Sequence, residues 1–185
     1  MAGRNKCFIF AEYVQRLLLG KRDVMDINIL PAYDRHEEIG MLFSEYTDML
    51  AKGDPAIWQY LQIQNYEKEI KNLGLKYGPP EGRLYLACQE DSPAGCIGLR
   101  KIDSENCEMK RLYVRPAYRG RQIGSRLVRR VVEDAKEIGY RHMLLDTLPF
   151  LNDAVRMYKH LGFYEVSRYN DSPMKGSIYM KLDLQ

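Results

Sequence analysis

The chain has 185 residues, 45% of them apolar and 29% charged, with a formal net charge of +3, which suits one globular domain with a buried core. No apolar run reaches the roughly 18 residues that cross a bilayer, and the early run CFIFAEYVQRLLLG carries Glu12 and Arg16, so neither a membrane partner nor a secretion signal is expected, and a cytoplasmic location is. The charge offers no basic stripe with interleaved aromatics for a nucleic-acid partner, and Cys7, Cys88, Cys96, Cys107 and the three histidines show no metal-ligand spacing, so reduced core thiols and no metal are expected.

Residues 1–24 read as an N-terminal extension ahead of MDINILPAY, which opens a strand. Its apolar Phe8, Phe10, Leu17, Leu18 and Leu19 suit either packing on the same chain or covering a partner, a homodimer included. Ile39, Leu42, Phe43, Tyr46 and Leu50 then recur at helical spacing, with Asp34 and Glu37 as a candidate capping box. A second helix is expected from Asp54-Pro55, a cap followed by proline at the first helical position, to about Gly74. Three β-rich runs follow, RLYLAC, CIGLRKI and CEMKRLYV, joined by the turn-like QEDSPAG and DSEN, which predicts an antiparallel meander. Beyond RPAYRGRQIGSRL, Ile123, Leu127, Val131, Ala135 and Ile138 line one helical face up to Gly139. RHMLLDT reads as a strand, NDAVRMYKHLGF as a helix ended by Gly162, and FYEVSRY and SIYMKLDL as two closing strands. The expected fold class is α+β, a mixed, mostly antiparallel central sheet flanked by helices.

The segment RPAYRGRQIGSRL joins a strand to a helix through a glycine-bearing turn. Such a junction presents unpaired N–H groups and the positive end of the helix dipole at one place. Gly120 and Gly124 let a ligand approach the backbone, and Arg119 and Arg121 add charge, which favours a pyrophosphate over a lone carboxylate. A tight turn with solvated arginines is the structural alternative. The glycine spacing and the preceding meander do not fit a Rossmann dinucleotide site, and no P-loop motif is present.

Two motifs carry a more specific likeness. YVRPAYRGRQIGSRLV resembles the pyrophosphate motif R/Q-x-x-G-x-G/A of the GNAT superfamily of acyl-CoA-dependent N-acyltransferases, with Arg119 first, Gly124 last, and Gln122 where the middle glycine is usual. NDAVRMYKHLGF resembles the second motif of that family, through Asn152, Val155, Tyr158, Gly162 and Phe163. The resemblance runs from Arg83 to Leu182 and implies one N-acetyltransferase domain over residues 25–185. It further implies acetyl-CoA as donor and a small-molecule or peptide amine as acceptor.

The resemblance also implies site residues. Leu112, Tyr113 and Val114 would bind the pantetheine arm, chiefly through backbone groups of Leu112 and Val114. Arg119, Gly120, Arg121, Gln122, Ile123, Gly124 and Ser125 would surround the pyrophosphate, and Asn152 would bind the arm from the other side or cap its helix. Glu108 is the expected general base and Tyr158 the expected general acid, with backbone N–H groups near Val114 polarising the carbonyl. Each has a structural alternative, an exposed ion-paired strand carboxylate for Glu108 and a core aromatic for Tyr158. Arg126, Arg129 and Arg130 read as a solvated helix face. Tyr46, Trp58, Tyr60, Thr147 and Tyr169 are candidates for the acceptor side, where Asp146 is either functional or structural. A catalytically silent acyl-CoA-binding module needs only the turn from Arg119 to Ser125, and a nucleotide-binding protein would share only its anion site.

Overall fold

A computed structural model describes residues 27–63, 66–172, 174 and 176–184. The extension at residues 1–24, with Cys7, lies outside them. Strand β1 (Ile27–Pro31) leads into helices α1 (His36–Gly53), α2 (Ile57–Ile63), α3 (Tyr66–Lys71) and α4 (Leu73–Tyr77). The meander is β2 (Arg83–Gln89), β3 (Ser92–Lys101) and β4 (Asn106–Val114), followed by α5 (Ile123–Ile138), β5 (His142–Thr147), α6 (Asn152–His160), β6 (Tyr164–Val166) and β7 (Ile178–Asp183). The seven strands form one sheet in the order β1-β2-β3-β4-β5-β7-β6. Every neighbouring pair is antiparallel except β4 and β5, so the fold is the expected mixed, mostly antiparallel α+β class.

Two cores sandwich the sheet. On one face α5 buries Ile123, Leu127, Val128, Val131 and Ala135 against Ile97, Leu99, Met109, Met143 and Leu145; each large apolar side chain so buried contributes about 1.5–3 kcal/mol. Gly139 closes this helix with its N–H on the carbonyls of Ala135 and Lys136. On the other face Ile39, Leu42 and Phe43 of α1 pack with Leu73, Tyr77, Leu84 and Leu86. Cys88, Cys96 and Cys107 are free, buried thiols. Among the described residues no helix is long and apolar enough to cross a membrane.

Several local expectations change. Asp34 does not cap α1; Arg35 holds the N-cap position without a side-chain cap bond and pairs with Glu38 instead. The Arg35 N–H is already tied to the Ala32 carbonyl, which leaves Asp34 outside the first turn. Where a single helix is expected from Asp54 to Gly74, the described residues carry helix at Ile57–Ile63, Tyr66–Lys71 and Leu73–Tyr77, with a break at Asn72. Asp54 accepts from the Ala56 N–H, and Asn72 starts α4 by accepting from the Leu75 N–H, so an interior asparagine restarts the chain in a new direction. QEDSPAG makes the expected hairpin turn, tightened so that Gln89 pairs with Ser92 across the two residues Glu90 and Asp91. Glu90 turns at φ 54° and the extra residue is taken up by a bulge opposite Ala87 and Cys88. The closing run FYEVSRY supplies a strand only at Tyr164–Val166, leaving Tyr169 in the following loop.

Candidate active site

The site begins with a fault in β4. Its ladder with β3 passes from Lys110 opposite Gly98 to Tyr113 opposite Cys96, so Arg111 and Leu112 share one partner residue. Arg111 takes φ 58°, a two-against-one bulge in a conformation that costs an arginine of the order of 1–3 kcal/mol. The bulge puts Lys110 and Arg111 on the same face of the sheet. Arg111 is held there by Glu69 of α3, through Nε at 2.7 Å and Nη2 at 3.0 Å. It also lies 5.6 Å from the Phe43 ring and 5.1 Å from that of Tyr66. Glu69 accepts further bonds from the Tyr77 hydroxyl at 2.7 Å and from Lys76. Burial pushes the Glu69 carboxyl up, but the hydrogen bonds and charge of Arg111 with the charge of Lys76 outweigh it, and its pKa falls to about 2.

Parallel pairing between β4 and β5 stops at Glu108 opposite Leu144. Beyond it the strands part, β4 staying with β3 and β5 with β7. Two cavities occupy the opening. A groove of about 620 Å³ is lined by Leu112, Tyr113, Val114, Arg119, Gly120, Gln122, Ile123, Gly124, Ser125 and Asn152, and by Met49, Phe150, Met157 and Tyr158. A narrower cavity of about 60 Å³ lies against Tyr46, Tyr60, Lys110, Asp146, Thr147, Leu148 and Tyr158. The two share Tyr46, Leu112, Leu151 and Tyr158.

At the groove, Gly120 turns at φ 77° with open space around its α-carbon. Gln122 is the N-cap of α5 at φ 60°, ψ 14°, left-handed. Its side chain makes no cap bond, so the backbone alone performs the turn that a glycine would make without strain. The first intrahelical bond runs from the Arg126 N–H to the Gln122 carbonyl, which leaves the N–H groups of Ile123, Gly124 and Ser125 without helical acceptors. Ser125 donates its hydroxyl to the Gln122 carbonyl at 2.9 Å. Arg119 leans back on the Val114 carbonyl, Nε at 3.1 Å, and stays exposed.

Arg121 is the member of the expected set that does not line the groove. It stacks 5.6 Å from the Tyr118 ring and reaches Gln89. Arg126 and Arg130 are also engaged away from the groove, donating to the Ile27 carbonyl and the Tyr85 hydroxyl. Asn152 is the first helical residue of α6 rather than its cap, which is Leu151.

Glu108 differs most from expectation. It is fully buried, lines neither cavity, and accepts from Arg100 at 2.6 Å, from the Tyr169 hydroxyl at 2.8 Å and from Lys110 at 3.4 Å. It lies at the last paired position of β4 and β5, opposite Leu144, with its carboxylate enclosed by Arg100, Lys110 and Tyr169. Tyr158 is buried, and its hydroxyl has no hydrogen-bond partner among the described residues. Burial raises that hydroxyl well above its usual value, and the Tyr46 hydroxyl is pushed up to about 12 by the same cause. Asp146 of β5 accepts from the Tyr60 hydroxyl at 2.7 Å and from Lys110 at 3.4 Å. Its burial acts upward, but the charge of Lys110 and the Tyr60 bond prevail and hold it below the usual carboxylate range. Of the expected acceptor-side residues, Tyr46, Tyr60 and Thr147 line the narrow cavity, Trp58 is exposed outside it, and Tyr169 is spent on Glu108. No local sequence signal marks Glu69 or Lys110, because their partners lie in other elements.

The sequence pattern of the acetyltransferase (GNAT) family matches residues 41–163. An uncharacterised N-acetyltransferase of Schizosaccharomyces pombe is 40% identical over 126 residues, 67% of this chain and 77% of its own. Another, of Dictyostelium discoideum, is 30% identical over 223 residues, 87% of this chain and all of its own (100%). Among solved structures, the PaiA N-acetyltransferase of Thermoplasma acidophilum in complex with coenzyme A superposes with a TM-score of 0.66 at 18% identity, over 86% of this chain and 99% of that one. With a bulged β4 parting from β5 and a glycine-bearing turn feeding α5, the chain belongs to the GNAT acetyltransferase family, as an acyl-CoA-dependent N-acetyltransferase.

Proposed function

We propose that the protein moves an acetyl group from acetyl-CoA to a primary amine by direct attack, in the opening between β4 and β5. The observation that carries this reading is the meeting of the long groove with the narrow cavity at the unpartnered Tyr158 hydroxyl. The groove residues fit coenzyme A. The free N–H groups of Ile123, Gly124 and Ser125, with Arg119 beside them, would take the pyrophosphate. Leu112, Tyr113 and Val114, whose edge no strand of β5 covers, would take the arm, with Asn152 across from them. Bound there, the cofactor supplies an activated acyl thioester.

The raised hydroxyl of Tyr158 stays protonated around neutral pH, so it acts as a neutral hydrogen-bond donor to the departing sulfur. A thiolate whose conjugate acid has a pKa of about 8.5 is a weaker base than this phenolate and does not deprotonate Tyr158, so the sulfur's proton comes in the end from the attacking nitrogen, with Tyr158 stabilising the charge between. The nitrogen–carbon bond forms, the carbon–sulfur bond breaks, and backbone N–H groups of the bulged strand polarise the carbonyl. Glu108, saturated by Arg100, Tyr169 and Lys110, is assigned to holding Lys110 in place rather than to proton abstraction.

Thermal shift against coenzyme A, acetyl-CoA, ATP and NAD, followed by thiol release with a panel of amines, tests the reading. Stabilisation by the two coenzyme A species and thiol release with at least one amine are expected. Stabilisation by ATP or NAD alone would overturn it, and coenzyme A binding without thiol release from any amine would leave a silent binding module.

A further inference from the structure

Three carboxylates stand close to the bulge of β4, and only one has room for a ligand. Glu69 is gripped by Arg111, Tyr77 and Lys76. Glu108 is gripped by Arg100, through Nε and Nη2 at 2.6 Å each, by Tyr169 and by Lys110. Asp146 takes one short bond, from Tyr60 at 2.7 Å, and one long contact, 3.4 Å from Lys110, and of the three it is the one that lines the narrow cavity. Lys110 cannot neutralise it fully, because the same ammonium lies 3.4 Å from Glu108.

Tyr46, Tyr60 and Tyr158 line the cavity around Asp146 together with apolar side chains, Lys110 and Arg111, and the charge of Arg111 is already matched by Glu69. A carboxylate flanked by aromatic faces is the environment that an ammonium group prefers, through a charge-assisted hydrogen bond and ring quadrupoles together. The Lys110 ammonium already illustrates it, lying 6.0 Å from the centre of the Tyr60 ring as well as beside Asp146. A cavity of about 60 Å³ holds roughly four water-sized groups, which admits a slim aminoalkyl end and not a branched or ring-bearing one.

We infer that Asp146 receives the amino group of the acceptor, and that the acceptor is a cationic primary amine on an unbranched alkyl arm. This rests on the acetyl-transfer reading above. Asp146 binds as a counter-ion. Held below the usual carboxylate range, it stays charged, is a poor proton acceptor, and stabilises the positive nitrogen formed on attack. The ammonium loses one proton to water on becoming nucleophilic. Its nitrogen then bonds to the acyl carbon as the carbon–sulfur bond breaks, a second N–H proton goes to the thiolate, and one proton is released overall. Tyr60 is a positioning residue that fixes one oxygen of Asp146.

The test compares wild type, D146N and Y60F with n-butylamine and with aniline, which is uncharged at pH 7. For D146N the KM for n-butylamine should rise about 10- to 100-fold, the loss of a hydrogen bond to a charged partner, with kcat and stabilisation by coenzyme A little changed. For Y60F the KM should rise about 3-fold. An unchanged butylamine KM in D146N, or equal use of aniline and butylamine by the wild type, overturns the inference. Butylamine-induced thermal stabilisation in the presence of coenzyme A is a second readout that needs no turnover. Stabilisation of the wild type and not of D146N supports the inference, and equal or absent stabilisation in both overturns it. Should D146N fail to fold, Y60F decides between the outcomes by the same KM measurement. Failure of the transfer reading itself looks different, as absent thiol release from every amine.

Discussion

The groove and the narrow cavity are built by opposite means. One wall of the groove comes from neighbouring stretches of chain, the end of β4, the turn at Gly120 and Gln122, and the start of α5, and its chemistry is that of backbone N–H groups. The narrow cavity draws on α1, α2, β4, β5, α6 and the residues before β7, and its chemistry is that of charged side chains paired across the fold. A site made of backbone depends on local conformation and tolerates changes of side chain. A site made of buried charges depends on partners far along the chain, and loses much when one partner goes.

The two cavities meet at Tyr158, where the largest effect is expected. Tyr158→Phe should lower kcat about 10²-fold, the loss of one preorganised hydrogen-bond donor to the charge developing on sulfur, while coenzyme A affinity measured by thermal shift stays within about twofold. Loss of coenzyme A binding in this variant would show that Tyr158 belongs to the groove alone, and an unchanged kcat would remove its role at the sulfur. Next comes the charged side of the comparison. Arg111→Met leaves buried Glu69 to Lys76 and the Tyr77 hydroxyl and should cost up to about 3–5 kcal/mol of unfolding free energy, read by denaturant titration. The double replacement with Glu69→Leu should cost less than the single one, since it removes both charges. Equal losses would mean that packing of the arginine, not its charge, holds the bulge.

The same pair gives the fold an acid limit. Glu69 has a folded pKa of about 2 against an ordinary 4.5, so the unfolded chain binds the extra proton and stability rises with pH across that interval. Its contribution, about 3 kcal/mol, is complete above pH 4.5 and fades as the pH falls towards 2. Glu69→Gln should flatten this part of the stability–pH curve. The smallest effects belong to the backbone side. Gln122→Val, a β-branched residue at φ 60°, should cost about 1–3 kcal/mol, whereas Gln122→Gly should hold stability within about 1 kcal/mol of wild type and keep coenzyme A affinity. A large loss of affinity in Gln122→Gly would show that the glutamine side chain itself touches the cofactor.

Legibility follows the same division. The amphipathic face of α5, its glycine cap, the meander and the strand-to-helix turn are all local patterns, and the structure has them where the sequence puts them. Gln122, in the place of a motif glycine, keeps the glycine-like conformation, so the motif was readable despite the substitution. The surroundings of Glu108 could not be read from its motif position, because Arg100 comes from β3 and Tyr169 from the loop before β7. The helix expected to run unbroken to Gly74 misled because an asparagine inside a helical run does not by itself say whether it will start a new helix. The break at Asn72 goes with a carboxylate in α3 that reaches Arg111, an ion pair spanning 42 positions.

The sequence by itself determined the class of the fold, the order of its main elements and the glycine-bearing turn from strand to helix, because each depends on periodicity or on backbone chemistry within a few residues. Only the tertiary structure decided which of three carboxylate residues lines the cavity beside β4. Glu69, Glu108 and Asp146 are alike in type, and what separates them is the number of cations and hydroxyls that the folded chain brings to each. Those partners are assembled by the bulge at Arg111, by the parting of β4 from β5, and by burial that makes each unpaired charge costly.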